Sequence, residues 1–144
     1  MDINEIMQIY DRFIEILEEF SMPPQEQIKK LHGTVVADEL ATDFSDIAFA
    51  YAEILKENHW INQEQFHIME VINNMLDEMS EDSNLWDENA LIYSKEWKDC
   101  RHNGKRLLDT LISSQSIYKQ CFARHCLFFL DNYLFLIIPL KLNI

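Results

Sequence analysis

Carboxylates are the groups this sequence offers most freely for chemistry or binding. The stretch ADELATDFSDIAFAYAEILKEN, residues 37–58, carries Asp38, Glu39, Asp43, Asp46, Glu53 and Glu57 against a single cation, Lys56. On a helix turning about 100° per residue, Glu39, Asp43, Asp46, Glu53 and Glu57 fall within a band roughly 80° wide. Leu40, Phe44, Ile47, Tyr51, Ile54 and Leu55 centre about 115° away, on the face expected to meet a core. Glu39–Asp43 and Glu53–Glu57 are like-charge pairs one turn apart, each costing ~0.2–0.5 kcal/mol where a Glu–Lys pair would gain it. Charge runs on helices are ordinarily solvated faces. Five carboxylates with no interleaved cation also make a surface complementary to a basic protein, and on that reading these five residues are the candidate partner-binding site. Asp77, Glu78, Glu81, Asp82, Asp87 and Glu88 form a second acidic cluster further on.

The other reactive side chains point away from catalysis. Di-iron bundles use Glu-x-x-His on two helices, and this sequence has one such spacing, Glu64 to His67, with His67 expected as a partly buried surface histidine. Cys100, His102, Cys121, His125 and Cys126 are soft ligands without the short paired cysteine spacing of zinc sites, so buried reduced thiols are the expectation. Two glycines cannot build a phosphate-cradling loop, and no serine sits in a nucleophile elbow. Lys95, Lys98, Arg101, Lys105 and Arg106, with Trp97 among them, are the one candidate nucleic-acid surface. Pairing of these cations with the acidic helices is the simpler expectation. The reading is of a protein that is not an enzyme, with no catalytic residues, no metal and no cofactor.

The whole-chain balance agrees. The formal net charge is −13, and it is uneven: residues 1–90 hold four Lys and Arg against twenty-one Asp and Glu, residues 91–144 eight against four. Such a field repels nucleic acid and anionic membrane and speeds encounter with basic partners. Three cysteines and an acidic, amphipathic start, MDINEIMQIYDRF, carry no signal of a disulfide framework or a secretion leader. A cytoplasmic location with reduced thiols is the expectation.

The elements that must position these groups are helices. Low Gly and Pro usage and apolar residues at i, i+3, i+4 predict one all-α domain over residues 1–144, a bundle of five or six helices. The first spans 2–20, with Asp2 and Glu5 at capping-box spacing and a stop before Pro23-Pro24. The second starts near Pro24 and runs to about Asn58, with a break expected at Gly33. The third opens at Asn62 with Gln65 as reciprocal cap and Ile61 against Phe66 as a staple, burying Phe66, Met69, Ile72, Met75, Leu76 and Met79. A short helix is expected around Leu85–Tyr93, then a longer one capped by Ser94, with Asn103-Gly104 read as a turn interrupting it. After about Ile112 the sequence turns very apolar. The densest part, Cys126 to Leu140, contains Asp131 and Asn132 and falls short of the ~20 residues a membrane span needs, so a core helix with a packed tail is expected.

Three phrases, DELATDF (38–44), MLDEMSEDSNLW (75–86) and ALIYSKEW (90–97), resemble small acidic helical bacterial proteins encoded beside secreted or contact-delivered toxins, the polymorphic-toxin and contact-dependent-inhibition immunity proteins. The resemblance covers roughly residues 38–111 and carries no functional residue of its own. It implies an immunity protein that binds and neutralises a cognate toxin domain. With the charge pattern, the toxin would be basic, the interface acidic and Trp86 or Trp97 an aromatic anchor. The alternative expectation is a non-catalytic helical adaptor or structural module that holds a partner helix on apolar surface.

Overall fold

The computed structural model describes the backbone of residues 1–130 and the side chains of residues 1–114. Every regular element among them is helical. The chain divides into two compact units, Met1–Asp109 and Thr110–Ile144, a boundary close to where the sequence turns apolar. The expected burial of the tail lies outside the described side chains.

The first helix, α1 (Ile3–Ser21), begins as its sequence prescribes. Asp2 Oδ1 accepts from Glu5 N at 2.9 Å, and Asp2 N donates to Glu5 Oε2 at 3.1 Å. Ile6, Tyr10, Phe13, Ile16, Leu17 and Phe20 form its buried face. Pro23 and Pro24 turn the chain into α2 (Pro24–Lys30), where proline occupies a first-turn position that has no hydrogen bond to lose. Gln27 folds back from α2, its Nε2 donating to the carbonyls of Glu19 at 3.1 Å and Phe20 at 2.8 Å. That side chain satisfies the end of α1, whose last carbonyls have no partner within the helix. The expected break falls where Gly33 adopts φ 93°, a left-handed conformation open to glycine at little cost.

The next rod joins α3 (Val36–Thr42), a π-helical segment (Asp43–Ala48) and α4 (Phe49–Glu57) without interruption. Its register corrects the straight-helix expectation. Leu40, Phe44, Ala48 and Ala52, four apart, are all buried, whereas Ile47, Tyr51 and Ile54 are only half-buried. On an ideal α-helix each four-residue step overshoots a turn by about 40°, so three steps would carry the buried row about 120° off the core. The π turn, marked by Phe49 N donating to Phe44 O, adds a residue and sets the following residues back by about 100°. A four-residue apolar spacing is thereby kept on one face.

Past Asn58, α4 closes with Trp60 N on Leu55 O at 2.8 Å and His59 N on Lys56 O at 3.1 Å, a Schellman arrangement in which His59 holds φ 62°. Asn62 and Gln65 then cap α5 (Gln63–Met79) reciprocally at 2.8 and 2.9 Å. Its buried row is Phe66, Met69, Ile72, Leu76 and Met79, with Met75 half-buried. A 3₁₀ turn (Ser83–Leu85) and α6 (Glu88–Tyr93) lead to α7 (Lys95–Leu130). Ser94 Oγ accepts from Trp97 N at 3.3 Å, as expected of a cap.

Asn103-Gly104 does not break α7. Asn103 Nδ2 donates to Asp99 O one turn back at 2.9 Å, so its amide supports the helix instead of competing with it. Gly104 is buried where α1 ends: a Cβ built there would lie 2.2 Å from Ser21 Oγ and 3.3 Å from Phe20 Cδ1. The glycine marks a close helix approach, not a turn. Around it the core is aromatic. Phe20 lies with its ring centroid 4.6 Å from Phe44 and 6.3 Å from Trp97, and Trp97 meets Trp86 edge-on at 5.6 Å.

Candidate functional site

The acidic rod is positioned by α1 on one side and α5 on the other: α1 packs on the π segment and on α4, and α4 packs on α5. Of the five stripe residues, Glu39, Asp46, Glu53 and Glu57 are exposed and Asp43 is half-buried. Partial burial raises the Asp43 carboxyl above the usual aspartate range, the Arg12 guanidinium opposes the rise, and the Glu19 carboxylate adds to it. Asp43 therefore sits where α1 and the π segment meet, at the edge of the surface.

The π turn also redistributes the stripe. Its setback places Glu53 and Glu57 about 100° around the axis from where a straight helix would stack them above Glu39 and Asp43. The carboxylates occupy two adjoining strips instead of one band. The signal in the sequence was the unbroken spacing of four through Leu40, Phe44, Ala48 and Ala52, two of them alanines that a hydrophobicity count underweights.

None of the five carboxylates has an ion-pair partner among the described residues. Lys56, the one cation of residues 37–58, lies 4.5 Å from the centroid of Phe66 on α5, over its ring. Arg12 binds Glu15 at 3.1 Å, and Lys30 binds Glu19 at 2.8 Å. Four cations of α7 bind elsewhere than the acidic rod, against the expectation. Lys95 pairs with Asp99 at 2.5 Å and Lys105 with Asp109 at 3.1 Å within α7 itself. Arg101 Nη1 donates to Leu91 O at 2.8 Å at the end of α6, and Arg106 Nη2 donates to Asn103 Oδ1 at 3.2 Å.

The second acidic cluster is partly structural. Asp82 Oδ1 accepts from Asn84 N at 3.0 Å, starting the 3₁₀ turn, and Asp87 Oδ1 accepts from Ala90 N at 2.7 Å, capping α6. The two tryptophans expected as anchors are committed inward. Trp97 is fully buried with Nε1 donating to Leu85 O at 2.7 Å, and half-buried Trp86 donates to Met79 O at 2.9 Å.

Among the described residues no group of three or more His, Cys, Asp or Glu is arranged to hold a metal ion. His67 is exposed rather than partly buried, 3.9 Å from Glu70. Cys100 is buried, its thiol pushed up to about 12 first by burial and then by the neighbouring Asp99, so it stays protonated and unreactive at neutral pH. Cys121, His125 and Cys126 lie outside the described side chains. No helix among the described residues is long and apolar enough to cross a membrane. Compared with family models, with curated proteins and with solved structures, the chain matches none.

Proposed function

We propose that the protein is a non-catalytic inhibitor of the immunity type, which captures a basic toxin domain through the acidic rod formed by α3, the π segment and α4. The observation that carries this reading is the unpaired state of Glu39, Asp43, Asp46, Glu53 and Glu57 beside a cation, Lys56, held over Phe66. A surface shaped only for helix stability gains from interleaved lysines; this one forgoes them across five carboxylates. Unpaired charges of one sign attract a partner of the other over a Debye length and accelerate encounter. The exposed carboxylates would be neutralised by the lysines and arginines of a nucleic-acid- or phosphate-handling cleft, so the inhibitor acts by occupancy and needs no chemistry of its own. Replacing Asp43 and Asp46 together by lysine tests it: the fold should survive, and the association rate with the partner should fall, more so at low salt. Unchanged kinetics would remove the rod from the interface.

The adaptor reading has one observation in its favour. Ile3 and Met7 are one turn apart on α1 and are 48% and 41% exposed, an apolar step on which a partner helix could lie. Association through that step would be insensitive to salt, which separates it from the acidic rod.

A further inference from the structure

We draw no further inference here: the strongest candidate, the exposed apolar face of Ile3 and Met7 on the first two turns of α1, carries none because nothing among the described residues shows what covers it.

Discussion

Gln27 is the side chain on which the junction of α1 and α2 most depends. It is fully buried, and both its amide hydrogens are used on carbonyls at the end of α1. Gln27→Ala leaves those carbonyls buried without a donor and should cost about 1–3 kcal/mol in urea unfolding. The same scale separates structural carboxylates from working ones. Asp2, Asp82 and Asp87 cap backbone, so each has a local reason to be acidic. Asp43 has none, and its raised pKa means that the folded state disfavours its charge. The sign follows from linkage: with the folded pKa above the unfolded one, stability declines as pH rises through that interval. Asp43→Asn should therefore raise the melting temperature at neutral pH, and the gain should vanish in acid, where both side chains are neutral. A stability that falls on this replacement would give Asp43 a structural role and weaken its assignment to binding. His59 is the remaining strained residue, and His59→Gly should stabilise by about 0.5–1 kcal/mol by relieving a left-handed backbone.

At the scale of the elements, what local rules encode was legible and what depends on packing was not. The capping boxes at Asp2–Glu5 and Asn62–Gln65, the proline entry to α2 and the break at Gly33 all follow from residues adjacent in sequence. The π segment and the continuity of α7 do not. A period of 3.6 predicts a straight helix over residues 37–58, and the rod instead keeps Leu40, Phe44, Ala48 and Ala52 inside by adding a residue to one turn. Asn103-Gly104 reads locally as a turn, but its glycine answers to Ser21 and Phe20, more than eighty residues away. Two outcomes follow. Deleting Ser45 should convert the π turn to α geometry and leave the two ends of the rod in register, because the lost residue and the lost setback cancel at about 100°, so the cost in urea unfolding should stay well below the several kcal/mol of emptying a core position. Gly104→Ala should cost about 1–3 kcal/mol through overpacking and be partly restored by Ser21→Ala, a non-additive pair in a double-mutant cycle.

On the scale of the whole molecule the governing fact is charge: −13 overall, with the excess in the first ninety residues. That much was readable from composition. The distribution of partners was not, because which lysine pairs with which acid depends on side-chain reach within each helix. The expectation that the α7 cations neutralise the acidic helices fails for Lys95, Lys105, Arg106 and Arg101, which bind Asp99, Asp109, Asn103 and the Leu91 carbonyl. The carboxylates of the acidic rod are left without an ion-pair partner among the described residues, and the proposed function depends on their charge being used. The most direct measurement is affinity capture from the source cell's extract at low salt, run in parallel with the wild-type chain and the Asp43→Lys, Asp46→Lys variant and followed by a wash at about 1 M salt, where screening shortens to ~3 Å. The account predicts a basic protein that the wild type retains, the variant does not, and the wash releases. A partner held equally by both chains, or one that survives the wash, would contradict it and pass the function to apolar surface such as Ile3 and Met7.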